Sequence, residues 1–476
     1  MLALVAGLAA PVPAGAVERT EGPPPWRIGG RAGFTLDVST RPDSAGLALD
    51  VCLRVPPGTL AQLARDEAGE ARLRADVRVR GRYGAKAQQS SHEFTLSPED
   101  SSGGLGRVIV MRFPASPGGC QVTAKLTDLL SRRPALLGGR AHEEAELAGE
   151  LEVPRPQEGR DLSNVLFLWP HSGRSAGAVF EHGGRTQVPN PDRLYGLFAE
   201  ELRAGFVARG RAGDERRWHW VARVFDAGGV GVAQRESSAV ASPVLDAEVA
   251  FDLSGEPAGA YELELKAWQE GDATALQRRQ RFSVGWQPDT WLRSAADAND
   301  EVHFLLESEA EEQFVLMHPG EQEAYLEDFW RRRDPTPGTA YNEALETFRA
   351  RVRHANATFS RAGLERGMFS DMGRVYIRYG EPSEILHQVI PAGESTLERQ
   401  LQEILYTEDR QPTDVQMKGL GGDMRPFEVW VYEGDIPLPP DADPSESRRG
   451  RSKRRLLFLF VDDQGTGLYR QRYSTE

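Results

Sequence analysis

Leu47-Ala48-Leu49-Asp50-Val51-Cys52-Leu53-Arg54-Val55 places its large apolar side chains at every second position, with Ala48, Asp50, Cys52 and Arg54 between them. A period of two belongs to an extended strand with one apolar face and one more polar face. The same alternation recurs in Phe34, Leu36 and Val38, in Leu73 to Val79, in Ile109, Met111 and Phe113, and in Cys120 to Leu126. Gly, Pro and Asp separate these runs, within a chain that carries 49 Gly and 31 Pro. Five or more short strands in about 130 residues predict an all-β sandwich over 27–153.

After a linker at Pro154 to Gly159, a second set of strand patterns begins at Val165-Leu166-Phe167-Leu168. It continues through Leu194 to Leu202, Trp218 to Phe225, Val249 to Leu253, Tyr261 to Trp268 and Phe282 to Trp286, predicting a second sandwich over 160–286. Pro117-Gly118-Gly119-Cys120-Gln121-Val122 and Pro257-Ala258-Gly259-Ala260-Tyr261-Glu262-Leu263 each feed a Pro/Gly turn into an alternating strand. The two modules therefore read as copies of one Ig-like type. Trp218 and Trp220 share a strand face and are expected in the core rather than on a sugar-stacking surface.

From Pro288 the period changes. Helical patterns fill Ala295 to Met317, Glu321 to Arg333 and about Ala340 to Arg361, the last with Thr339 as the expected N-cap. Strands are expected at Arg374 to Tyr379, Phe427 to Tyr432, Leu456 to Val461 and Leu468 to Tyr473. The region 288–476 thus reads as an α+β domain, with a small antiparallel sheet, packed helices and an aperiodic loop at 437–453.

Certain residues here carry a resemblance. Phe329-Trp330-Arg331-Arg332-Arg333-Asp334-Pro335-Thr336-Pro337, Asn342-Glu343, Arg353-His354-Ala355-Asn356 and Phe359 precede Gly367-Met368-Phe369-Ser370-Asp371. Gly373-Arg374-Val375-Tyr376-Ile377-Arg378-Tyr379-Gly380-Glu381-Pro382 and Pro426-Phe427-Glu428-Val429-Trp430-Val431-Tyr432 follow. Together they resemble the GWxTD-domain family of bacterial exported proteins, with Val188-Pro189-Asn190-Pro191 resembling a segment upstream of that domain. Met368 stands where the family name has Trp, and Ser370 where it has Thr. The resemblance implies a fold and an exported location, and no particular activity.

Composition excludes some functions. A formal charge of -14 argues against nucleic acid as a partner, since binding it demands surplus Lys and Arg. Residues 1–16 read as a signal peptide: Met1 to Val12 is apolar, and Ala14-Gly15-Ala16 supplies the small residues before a cleavage point. No later segment is apolar enough to span a membrane, so a periplasmic or extracellular protein is expected. Cys52 and Cys120 are expected as separate thiols, with one of them pointing away from the core. Gly173-Arg174-Ser175-Ala176-Gly177 matches a nucleophile elbow without the long helix that motif requires, so a surface loop is expected there. His142-Glu143-Glu144 begins a zinc motif that position 146, Glu, does not complete, and no cofactor or metal motif is found elsewhere. The basic run Arg448 to Arg455 is expected to be a solvated loop that could dock an acidic partner.

The densest set of polar family-motif residues is Asp334, Asn342, Glu343, Arg349, Arg353, Asn356, Gly367, Ser370, Asp371, Arg374 and Glu428. On a helix Arg349, Arg353 and Asn356 share a face, which Asp371 and Arg374 could meet. Such a set could form a hydrolytic pocket acting on an envelope polymer through Asp371 and Arg353. The expected reading is instead a polar network that fixes helix to sheet, in a non-catalytic protein whose partner is a protein or an envelope polymer.

Overall fold

The computed structural model describes residues 18–475, except 21, 44–45, 82–86, 98–104, 135–139, 158, 171–179, 183–184, 212, 241, 293–300, 340, 362–365, 389–424 and 435–454. The expected signal peptide, the Ser175 loop and the 437–453 loop lie outside the described residues. The chain is mostly β and forms two compact units, Met1–Asn299 with Gln313–Tyr325, and Asp300–Glu312 with Leu326–Glu476.

The first module of unit one contains β1 (Glu18–Thr20), β2 (Trp26–Ile28), β3 (Phe34–Asp43), β4 (Gly46–Val55) and β5 (Ala71–Gly81), with a short helix α1 (Pro57–Gln62) after β4. It continues with β6 (Gln88–Leu96), β7 (Arg107–Ala115), β8 (Gly118–Pro134) and β9 (Arg140–Val153). Its two sheets run β1-β9-β8-β5-β6 and β2-β3-β4-β7, and they share one core. Leu49, Val51, Leu53 and Val55 of β4 enter that core beside Val77 of β5 and Val122 of β8, all no more than 1% exposed. Pleating sends each alternate side chain there, as the quoted stretch predicts.

The second module contains β10 (Asp161–Leu162), β11 (Leu166–Leu168), β12 (Phe180–His182), β13 (Arg185–Gln187), β14 (Leu194–Gly196) and β15 (Glu201–Arg209). Then come β16 (Trp218–Asp226), β17 (Gly231–Ala239), β18 (Val244–Asp252), β19 (Gly259–Gln269) and β20 (Leu276–Gly285). One sheet runs β14-β20-β19-β16-β17, and β15 is the centre of another, pairing β10, β11 and β18. The run expected as one strand from Leu194 to Leu202 is broken, because Gly196 turns with φ +116° and the backbone closes onto Ala199.

The weak sequence repeat is a repeat of topology. In the first module β1 lies parallel to β9, which leads through β8 and β5 to the edge strand β6. In the second, β14 lies parallel to β20, which leads through β19 and β16 to β17. The two Pro/Gly turns noted in the sequence start equivalent strands, β8 and β19. Gly118 and Gly259 begin them at φ +115° and +155°.

Unit two has a four-stranded antiparallel sheet, β21 (Glu384–Gln388), β22 (Phe427–Tyr432), β23 (Leu456–Val461) and β24 (Arg470–Ser474), in that order. The helices after the β modules are α2 (Pro288–Leu292), α3 (Ser308–Leu316), α4 (Pro319–Arg333), α5 (Glu343–Phe359) and α6 (Asp371–Tyr379). The first of these belongs to unit one, the last two to unit two, and the residues of α3 and α4 are divided between them.

Helix α6 corrects an expectation, since Arg374 to Tyr379 reads as a strand. Met372, Val375 and Tyr379 face the sheet residues Trp430, Tyr432, Phe458 and Phe460, while Ile377 joins Trp330, Phe348, Val352 and Met368 on the other side. A helix buried on two faces puts apolar residues at 375, 377 and 379 and so imitates a period of two. Thr339 is also corrected: the cap of α5 is Asn342, whose Oδ1 accepts the Leu345 amide at 3.0 Å.

Candidate functional site

The polar residues singled out in the sequence meet backbone more often than one another. Asn342 both caps α5 and donates from Nδ2 to the Trp330 carbonyl at 2.6 Å. Asp334 accepts the Thr336 amide at 2.9 Å, and Glu343 accepts the hydroxyls of Thr336 and Thr339 at 2.5 and 3.3 Å. The Thr336 hydroxyl, with lesser help from Thr339, holds the Glu343 carboxyl below its usual range. These bonds shape the loop from α4 to α5.

The second group holds the 367–371 stretch. Asn356 Oδ1 accepts the Met368 amide at 3.0 Å, and the Ser360 hydroxyl accepts that of Gly367 at 2.9 Å. Ser370 caps α6, accepting from the Gly373 amide at 2.9 Å and donating to the Gly367 carbonyl at 2.7 Å. Gly367 and Gly373 sit where backbone approaches closely. A Cβ on Gly367 would lie 2.2 Å from the Ala355 carbonyl oxygen, and one on Gly373 2.0 Å from that of Gly367. Met368 is fully buried among Trp330, Phe348 and Val352, so the position where the family name has Trp supplies apolar volume here.

Asp371 opens α6 and reaches β24, where Oδ2 accepts the Gln471 amide at 2.8 Å and Arg470 stands 3.9 Å from Oδ1. Glu428 accepts the Trp430 indole N–H at 2.9 Å and lies 2.7 Å from His387 Nδ1 across the β21–β22 ladder. Arg349 pairs with Glu346 of its own helix at 3.8 Å. Arg353 and Arg374 are exposed. The expected face of Arg349, Arg353 and Asn356 is therefore split: Asn356 turns to Met368, while the two arginines stay at the surface. Sequence reasoning missed Ser360 and His387, because a lone hydroxyl and a lone imidazole carry no pattern of their own.

A second polar cluster lies between the β modules. Arg193 reaches the first module from a turn, its Nε and Nη2 donating to the two carboxylate oxygens of Asp37 at 3.0 and 2.7 Å. Arg54 pairs with Asp192 and donates to the Leu105 carbonyl at 2.6 Å, and Arg27 stands 3.9 Å from Asp192. Asp37, Arg54, Asp192 and Arg193 are all buried. Burial lowers Arg27 to about 10 and Arg54 to about 9, which leaves both charged at neutral pH. The turn is the continuation of Val188-Pro189-Asn190-Pro191, and Arg193 adopts φ +50°, a left-handed conformation costly for a residue with a Cβ.

The polar side of the quoted strand is thus an interface between modules. Asp50, Cys52 and Arg54 are 2–3% exposed, and on neighbouring β3 Thr35, Asp37 and Ser39 are buried too. Cys120 belongs to the first core and Cys52 points the other way, as two free thiols. Burial raises both, Cys120 to about 11. Trp218 is buried with its indole donating to the Ser242 carbonyl, and Trp220 packs edge-on to Phe206.

Among the described residues no three His, Cys, Asp or Glu side chains are grouped to hold a metal ion, and no helix is long and apolar enough to cross a membrane.

No family model matches the chain, and no curated protein matches it. Solved structures similar to part of it include a red sea bream transglutaminase, 9% identical at TM-score 0.16, the match covering 53% of this chain and 31% of that one. A Parabacteroides merdae β-glucuronidase is 8% identical at TM-score 0.19, covering 50% and 27%. Bacteroides uniformis β-glucuronidase 2 is 10% identical at TM-score 0.20, covering 50% and 26%. The chain spans less than a third of each of these proteins. At such TM-scores the likeness carries no argument about activity.

Proposed function

We propose that this is an exported, non-catalytic interaction protein, in which two Ig-like modules carry a C-terminal GWxTD-like domain. The Ig-like assignment is supported by one short strand in each module, β1 and β14, pairing parallel with that module's last strand. The observation that carries the functional reading is the occupation of the family-motif side chains. Asn342, Asn356, Ser370 and Asp371 each commit an oxygen to a backbone amide. The Ser370 hydroxyl is buried as well as bonded, which argues against its use as a nucleophile. On this reading the domain presents its surface to a protein or envelope-polymer partner outside the cytoplasm, exported by residues 1–16.

The test pairs two assays on the full chain. A tagged copy with its N-terminal segment intact, recovered from the periplasmic fraction, should retain a partner through washing. The purified chain should leave peptidoglycan and denatured protein uncleaved over long incubation. Turnover of either substrate, abolished in Asp371→Asn, would replace this reading with a hydrolase.

A further inference from the structure

We infer that the outer face of the first module's five-stranded sheet is an interface for a second copy of this chain, packed face to face across a two-fold axis. The sheet order β1-β9-β8-β5-β6 carries two charged stripes of opposite sign on that face. On β5, Leu73, Ala75, Val77 and Val79 enter the core, so Arg72, Arg74, Asp76, Arg78 and Arg80 point outward. On β9, Ala145, Leu147 and Leu151 pack on the core, so Glu144, Glu146, Glu150 and Glu152 point outward.

Neither stripe is neutralised within the sheet. The four arginines of β5 have only Asp76 and, across on β6, Glu93 beside them, which leaves two positive charges in excess. Glu146, Glu150 and Glu152 have only Arg19 of β1 beside them, which leaves two negative charges in excess. Between the stripes, Lys125 of β8 is matched by Glu144 at 2.6 Å. Arg72, Arg78, Arg80, Glu150 and Glu152 are exposed and, with the half-buried Glu146, form no ion pair among the described residues. Opposite charges facing each other across the ladder would have paired, yet Arg78 lies opposite Gln89 and Thr123. Arg80 and Glu150 both lie opposite Gln121. Like charges two residues apart on a strand stand about 7 Å from one another and repel, so each stripe calls for a counter-charge from another surface.

A second copy brings both counter-charges at once. A two-fold axis running along β8, in the plane of contact, lays β5 of each copy over β9 of the other, an isologous arrangement. Arg80, Gln121 and Glu150 are level across the three strands, so Arg80 of one copy meets Glu150 of the second. Arg78 is level with Ala148 and falls between Glu146 and Glu150 of the second copy. Asp76 falls level with Glu146, where Arg74, 3.1 Å from Asp76, supplies a cation. An acidic polymer would suit the arginines alone and would meet the glutamates about 10 Å away, two strand spacings and about one Debye length. The strands from β9 to β6 give a footprint of about 600 Å² per copy, the low end for specific interfaces, so the association is weak and sensitive to salt. This interface lies on the first module and does not rest on the reading of the C-terminal domain, so either can fail alone.

The test is sedimentation velocity on the full chain, at the highest soluble concentration. The parent should be a dimer in about 0.05 M salt and a monomer in about 1 M. Arg78→Glu/Arg80→Glu and Glu146→Arg/Glu150→Arg should each be monomeric at low salt, because each leaves two stripes of one sign. Their equimolar mixture should restore the dimer, since the reversed stripe of each then meets the native stripe of the other. If either reversal unfolds, Arg78→Gln/Arg80→Gln takes its place and should weaken self-association about tenfold. The inference is overturned if the parent is monomeric at low salt, if the variants dimerise as the parent does, or if the mixture stays monomeric. Retention of a monomeric parent by polygalacturonate, lost in Arg78→Glu/Arg80→Glu, would put an acidic polymer in place of the second copy.

Discussion

At the residue scale, the side chains that hold the 367–371 stretch differ from those that merely lie near it in sequence. Ser370→Ala should cost about 1 kcal/mol, the ordinary loss for a helix N-cap, and Ser370→Thr should keep most of that stability in urea unfolding. Gly373→Ala should cost more, about 2–4 kcal/mol, because its methyl group would press on the Gly367 carbonyl oxygen. Arg353→Ala should stay within about 0.5 kcal/mol of the parent, as befits an exposed side chain. Equal losses from Arg353→Ala and Gly373→Ala would show that the stretch is held in some other way. Neither cap was legible: Thr339 was expected in place of Asn342, and Ser370 preceded what reads as a strand. What sequence could not supply was the aim of Asn356, whose helical spacing from Arg353 suggested a shared face. Its amide turns to a backbone group twelve residues on, and no local pattern encodes that.

At the scale of elements, alternation was a sound guide to strands with one apolar face and a poor guide to segments apolar on two. It placed β3, β4, β5, β7 and β8, whose apolar faces close the first core. It misread α6, where helix–helix and helix–sheet contacts claim opposite sides. It also misjudged the polar face of β3 and β4, which looks like a surface because its residues are charged. Those charges are instead covered by the turn at 190–193. Removing one member of a buried pair leaves the other uncompensated, so Asp37→Ala should cost about 3–5 kcal/mol in unit one, and Arg193→Ala a similar amount. The double variant Asp37→Leu/Arg193→Leu should recover part of that loss. A thermal melt in which all three variants match the parent would mean that the pair is solvated and does not join the modules.

At the scale of the molecule, the repeat of sheet order shows how far composition and turn chemistry reach. Many strands were readable from spaced alternating signals, whereas the buried ion pairs of Arg54 with Asp192 and Arg193 with Asp37 were not. Acid should weaken the half of the chain that holds these pairs. Burial alone would raise the Asp272 carboxyl, but the Gln269 amide and the guanidinium groups of Arg216 and Arg160 outweigh it, so its folded value is depressed. Glu264 is depressed likewise, Arg279 and Lys266 overcoming its burial. A depressed carboxylate contributes stability above its unfolded value, about 4, and loses it as pH falls through the folded value. Asp161, raised by burial, acts in the opposite sense and offsets part of the loss. The melting temperature should therefore fall between about pH 5 and pH 3, and a flat profile there would contradict the assigned bonds. The thiols give an independent check. Iodoacetamide should leave Cys52 and Cys120 unmodified in the folded chain at pH 8 and label both in denaturant. Rapid labelling of Cys52 in the native state would show that the face between the modules is open.

The reading of the C-terminal domain stands on one contrast, and equilibrium urea unfolding of unit two, followed by partner recovery, tests it most directly. Asn356→Ala should lose about 1–3 kcal/mol through the orphaned Met368 amide, and any loss of partner recovery should follow the unfolded fraction. The contrary result is an Asn356→Ala or Asp371→Ala chain as stable as the parent that no longer retains its partner. The polar groups at the 367–371 stretch would then be a working surface rather than the joints of a scaffold.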